Sequence, residues 1–186
     1  MLHPAEHPYP RDTSVLAIRL YGDPILRQKA APVHRVTNEV RALASGMLDA
    51  MAMEDGVGLS APQVGILSRL IVVTPEPDDE ASAPLVMVNP VVEKASGEWV
   101  EQEGCLSLPD IYADVARPEA IEARGTDLDG ADVSFTADGW FARVILHEID
   151  HLNGVLFIDH LDRTERSRLR GQLNRITRRA REAMEG

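Results

Sequence analysis

Residues 138–154 read DGWFARVILHEIDHLNG, and the way this stretch folds decides how the rest of the chain must be arranged around it. Asp138 is a residue type that caps the start of a helix, and Gly154 one that ends it in the left-handed conformation. Between them the chain reads as a helix from Gly139 to Asn153. On that helix His147 and His151 lie one turn apart on one face, so both imidazoles can reach a single ion. Glu148 sits about 100° further round the axis, too far to be an obvious ligand but close enough to act on water beside the ion. A metal held by two imidazoles lacks part of its usual complement, so a third protein ligand has to come from elsewhere. Without a metal, the same histidines read as ordinary core or surface residues.

The third ligand separates the alternatives. In metzincin proteases the motif continues as HExxHxxGxxH; here Gly154 fits, but the final histidine position holds Phe157. Of downstream glutamates, Glu165 and Glu182 both lie in an arginine-rich segment that reads as a solvated ion-pair face. Upstream, VEQEGCLSLPD at 100–110 carries Cys105, the one cysteine of the chain. A thiolate is a strong ligand for Zn(II) or Fe(II), and Gly104 beside it permits a close approach. A free cysteine is as often a small buried hydrophobe, and that reading stays open on the residue alone.

Working outward, Thr37 opens a helical pattern with Val40, Leu43, Met47, Ala50 and Met51 on one face, stopping at Asp55-Gly56. Two strand-like runs follow, RLIVVTP at 69–75 and LVMVNPVVE at 85–93, with the acidic loop PEPDDEASAP at 75–84 between them. Residues 119–136 alternate and are broken by Asp129-Gly130, a dipeptide typical of type I′ hairpin turns. A last helix is predicted from Arg163 to Met184, with Leu169, Leu173, Ile176, Ala180 and Met184 on one side. Strands fall in neighbouring pairs, which predicts an α+β fold: antiparallel β-sheets packed around a central helix carrying HExxH, with a C-terminal helix. Residues 1–13, proline-rich and aperiodic, read as a flexible N-terminal arm, and 14–186 as a single catalytic domain.

The formal charge of −11 argues against a protein that coats DNA or RNA, yet the segment from Arg163 onward holds eight arginines against three glutamates. No apolar run approaches the ~18 residues of a membrane span, and the start lacks the apolar core of a secretory signal. A single cysteine fits a reducing cytoplasm. These features together predict a cytoplasmic protein with no membrane partner.

A third stretch, GVGLSAPQ at 56–63, has glycines that allow close backbone approach and ends in Gln63, whose amide can donate a hydrogen bond. In this order, GVGLSAPQ, EGCLS and HEIDH resemble the three signature motifs of the peptide deformylases, and YGDPILRQKAAPV at 21–33 looks like the start of the same family. The resemblance covers roughly residues 15 to 175. It implies Cys105, His147 and His151 as ligands of one divalent ion, with the fourth position open. Fe(II) is implied in the cell, with Zn(II), Ni(II) or Co(II) able to occupy the same site. Glu148 is implied as the acid/base, and Gln63 with the backbone N–H of Leu106 as the donors that stabilise the charge developing on the formyl oxygen.

The implied substrates are nascent chains beginning with N-formylmethionine. Val57, Leu106, Trp140 and Val144 would form the methionine pocket, and the Gly58 backbone would pair with the peptide. The chain departs from the family pattern modestly. Ser60 stands for a frequent alanine, Leu146 for a frequent glutamine, and Tyr112 where some members have an arginine, so no charged contact with the far end of the peptide is expected. Asp150 is expected to be structural and paired with Arg117. The basic C-terminal helix reads as a solvated face or as a transient contact with ribosomal RNA. The rival functions are an HExxH zinc endopeptidase, which leaves Cys105 and GVGLSAPQ unexplained, a metal-free hydrolase using Cys105 and His147, and a non-catalytic metal-binding module.

Overall fold

A computed structural model describes residues 16–77, 79 and 82–185; the N-terminal arm expected at 1–13 lies outside them. Helix α1 (Asn38–Met53) buries Val40, Leu43, Met47, Ala50 and Met51, the face that the sequence pattern marks. Five strands follow in one antiparallel sheet of order β1-β2-β3-β6-β7: β1 (Gly58–Ser60), β2 (Leu70–Val73), β3 (Leu85–Ser96), β6 (Ala120–Thr126) and β7 (Asp132–Asp138). The remaining strands, β4 (Trp99–Cys105) and β5 (Leu108–Arg117), form a separate antiparallel hairpin. Helix α2 (Gly139–Leu152) packs against β1, β2, β6 and β7, and α3 (Arg163–Glu185) against β5. The α+β architecture expected from paired strands is the one observed, with the HEIDH helix against the sheet.

Burial explains why each element holds. All four residues of β2 are buried, as a central strand covered on both faces requires. α2 is apolar through Ala142, Val144, Ile145 and Leu152, which join Ile71, Val73, Met87 and Ile121 in one cluster. α3 contributes Leu173 and Ile176, 6% and 4% exposed, to a second cluster with Leu108, Ile111, Val115 and Phe157. Each such side chain stabilises the fold by about 1.5–3 kcal/mol. Phe157, at the position where a metzincin would have its third histidine, is a core residue 1% exposed.

Three local expectations are corrected. The β6–β7 turn is not type I′, which needs two central residues with positive φ; Gly130 has φ 85° but Asp129 does not. Asp127 instead organises it, accepting from the backbone N–H groups of Asp129 and Ala131 at 2.8 and 2.9 Å. Asp138 precedes α2 without a side-chain capping bond. Met184 is 47% exposed, because the final turn of α3 runs past the surface that Leu173, Ile176 and Ala180 cover. Cys105 lies at the tip of the β4–β5 hairpin, paired with Leu108.

Candidate metal centre

The hairpin and α2 are held together by buried charge. Glu103 on β4 is 3% exposed and accepts from Arg117 Nε on β5 at 2.8 Å, from Arg143 on α2 at 2.7 Å, and from the His147 ring at 3.0 Å. Arg143, 1% exposed, also donates to the carbonyls of Trp99 and Val115, at 2.6 and 2.9 Å. Arg117 reaches Asp150 at 2.6 Å, the pairing expected from the sequence, and Asp150 contacts His160 at 2.7 Å. Each charged group meets an opposite charge, which lets such a network be buried at tolerable cost, although Arg143 Nε is left without a hydrogen-bond partner among the described residues. Glu103 and Arg143 were not singled out from the sequence. The available signal was an arginine one turn before His147 on an apolar helix, which needs a buried carboxylate opposite.

This clamp sets Cys105 against the histidine pair. The potential ligand atoms of Cys105, His147 and His151 all lie within 4.8 Å of one another, and Cys105 Sγ is 3.2 Å from His151 Nε2. An ionised Glu103 carboxylate only accepts, so His147 Nδ1 carries a proton, and in the neutral ring, the form that binds a metal, Nε2 keeps a lone pair. Burial opposes charge on His147, but the Cys105 sulfur and the Glu103 carboxylate raise it well above the ordinary imidazole value. Burial, reinforced by the neighbouring His147, holds His151 well below that value. One thiolate and two neutral imidazoles are the donors that suit Zn(II) or Fe(II). The residues present therefore fit a single metal ion.

Glu148 is 3% exposed, and its Oε2 is buried without a hydrogen-bond partner among the described residues. Burial pushes its carboxyl up to about 7, against the opposing influence of the neighbouring His147. Gly58 is required beside it: a Cβ there would lie 2.6 Å from Glu148 Oε1 and 2.8 Å from Val144 Cγ1. Gln63, 1% exposed, accepts from the Ser60 N–H at 2.9 Å and from the Ser60 hydroxyl at 2.7 Å. Its NH₂ group is left facing Cys105 Sγ at 3.5 Å and Ser107 Oγ at 3.4 Å. The N-terminal segment fastens both loops, through Arg19 N–H to the Gln63 carbonyl at 2.7 Å and Tyr21 N–H to the Ser107 carbonyl at 2.8 Å.

A cleft of about 420 Å³ opens over these groups, and Val57, Gly58, Leu106, Trp140 and Val144 all line it beside Gln63, Cys105, His147 and Glu148. His151 stands behind them, 1% exposed, as a donor seen through the Cys105 contact and not as part of the cleft wall. Tyr112 also lines the cleft, 62% exposed, with its ring against Gly104.

A cysteine sulfur and an HExxH histidine pair converging under a cleft that contains a buried glutamate with one unpartnered carboxylate oxygen define a metal-dependent hydrolase. The comparisons with known proteins agree: residues 15–167 match the family model for polypeptide deformylase. A peptide deformylase of Gloeobacter violaceus is 50% identical over 148 residues, 79% of each chain. The crystal structure of peptide deformylase from Thermus thermophilus superposes with a TM-score of 0.82 at 40% identity, over 89% of this chain and 99% of that one. A peptide deformylase from Synechococcus elongatus, solved in complex with actinonin, gives 0.78 at 42% identity, over 92% and 90%. The chain belongs to the polypeptide deformylase family.

Proposed function

We propose that this chain hydrolyses the formyl group from the N-terminal formylmethionine of newly made polypeptides, yielding formate and a free amino terminus. The observation that carries the reading is the meeting of Cys105, His147 and His151 next to a buried, unpartnered Glu148 carboxylate oxygen. Cys105, His147 and His151 would hold a divalent ion, which would supply Lewis acidity and lower the pKa of water toward about 7. Glu148 takes a proton from the attacking water and delivers it to the leaving amine as the C–N bond breaks. The NH₂ group of Gln63 and the backbone N–H of Leu106 stabilise negative charge on the formyl oxygen.

Val57, Leu106, Trp140 and Val144 receive the methionine side chain, whose burial contributes about 1.5–3 kcal/mol. β1 is the edge strand of its sheet, so the Gly58 backbone can pair with an extended peptide. The metal in the cell is Fe(II), with Zn(II), Ni(II) and Co(II) as competent substitutes, and the thiolate makes the iron form sensitive to peroxide. The catalytic unit is a single domain from about residue 14 onward, working in the cytoplasm. Among the described residues no helix is long and apolar enough to cross a membrane. Arg168, Arg170, Arg175, Arg178, Arg179 and Arg181 are exposed along α3 and provide a transient, salt-sensitive contact with ribosomal RNA; ribosome binding that is absent or indifferent to salt contradicts this part.

The test is anaerobic purification with metal analysis, followed by formate release from a formyl-Met peptide. One ion per chain, formate release, and loss of activity on chelation with recovery on adding Fe(II) or Zn(II) are expected. Cleavage of internal peptide bonds without formate release would instead identify the zinc endopeptidase, and activity that survives chelation but not thiol alkylation would identify a Cys105 nucleophile.

A further inference from the structure

The residue at position 60 is one of the chain's departures from the family pattern, and it occupies a place where a hydroxyl has consequences. Ser60 is 0% exposed, ends β1, and immediately precedes the short 3-10 turn Ala61–Val64 that carries Gln63. Its backbone N–H lies 2.9 Å from one terminal atom of the Gln63 amide. An N–H can only donate, so that atom is the oxygen, and the NH₂ group must point the other way, toward Cys105 and Ser107. The Ser60 hydroxyl is 2.7 Å from the same oxygen and donates to it, because the amide oxygen has no proton to give.

We infer that Ser60 is a positioning residue for deformylation: its buried hydroxyl locks and polarises the Gln63 amide so that the NH₂ group is presented, already oriented, to the oxygen that becomes negative. An alanine leaves only the backbone bond, about which the amide can rock. A serine adds a second bond to the same atom, and hydrogen bonds in sequence strengthen one another. The gain is realised where charge develops, so it belongs to turnover and not to substrate affinity. The inference rests on the role proposed for Gln63.

The test is a double-mutant cycle on the metal-loaded enzyme with a formyl-Met peptide, using Ser60→Ala, Gln63→Ala and the pair. Ser60→Ala is expected to lower kcat about fivefold, the fold-change of one neutral hydrogen bond, with KM held within about twofold. On the Gln63→Ala background the same change is expected to have no effect on kcat, since the group being positioned is gone. An equal loss in both backgrounds, or a loss confined to KM, overturns the inference and leaves Ser60 a packing residue. Wild-type turnover by Gln63→Ala alone is a different result: it removes the charge-stabilising role on which the inference stands. No formate from the unmutated enzyme removes the proposed reaction itself.

Discussion

Glu103→Gln is the perturbation whose effect can be worked most fully from the structure. The substitution keeps size and one acceptor oxygen but removes the negative charge between two guanidinium groups and the His147 ring. Arg143 is 1% exposed and Arg117 5%, so neither can turn to water to recover what it loses. Removing one partner from a buried ion pair costs about 3–5 kcal/mol. Because glutamine still accepts one hydrogen bond, the low end, about 3 kcal/mol, is expected. For a chain of this length each kcal/mol moves the thermal midpoint by roughly 2–4 °C, giving a fall of about 6–12 °C. His147 also loses the carboxylate that fixes its tautomer, which weakens metal binding by about 10–100-fold. Urea unfolding of metal-free and metal-loaded protein separates the two effects, since a ligand that binds the folded state adds its own stabilisation. Unfolding within about 1 kcal/mol of the parent protein, together with unchanged metal affinity, would refute the claim that this network builds the site.

Three further outcomes follow from the same geometry. Glu148→Ala should retain the bound ion, because Cys105, His147 and His151 are untouched, while losing nearly all formate release; normal turnover removes the acid/base assignment. Gln63→Ala should lower kcat by about 10²–10³-fold, the usual cost of one charge-stabilising donor, measured on the metal-loaded enzyme with the same peptide. Stability should fall in acid in a way that depends on Glu103. Burial alone would raise its carboxyl, but Arg117 and His147 hold it well below the ordinary value of 4.5, as His160 and Arg117 do for Asp150 against its own burial. Carboxyls depressed in the folded state contribute stability fully above their unfolded values and lose it as pH falls through the folded ones. Unfolding free energy should therefore be steady above about pH 5 and drop below it, with a shallower drop in Glu103→Gln; identical slopes in both proteins contradict the assignment.

The parts of the site that were legible in the sequence are those governed by local geometry. His147 and His151 lie four residues apart on a helix bounded by Asp138 and Gly154, so their common face follows from helical periodicity before any tertiary contact is known. The central strands β2 and β3 declared themselves through β-branched runs, and α1 through its buried stripe. The β4–β5 hairpin did not. Val100, Glu101 and Gln102 are all exposed on β4, which lacks the long apolar run or clean alternation that betrays a half-buried strand. Besides the apolar contacts of Leu108, Ile111 and Val115, the hairpin's hold on the molecule comes from Glu103, Arg117 and Arg143, and an ion network that spans three elements has no one-dimensional signature. Cys105 could be nominated as a ligand from residue type and resemblance, but what brings it to the histidines is this clamp. Met184 was misplaced for the opposite reason: helical periodicity continues to the last turn, while the surface it would cover does not.

The most direct measurement is the coordination shell of the metal in anaerobically purified protein by X-ray absorption. One sulfur at about 2.3 Å and two imidazole nitrogens at about 2.0–2.1 Å, read on the zinc form, are expected from Cys105, His147 and His151. A shell of nitrogen and oxygen with no sulfur would contradict the account, because the hairpin clamp would then deliver Cys105 to no purpose in the site.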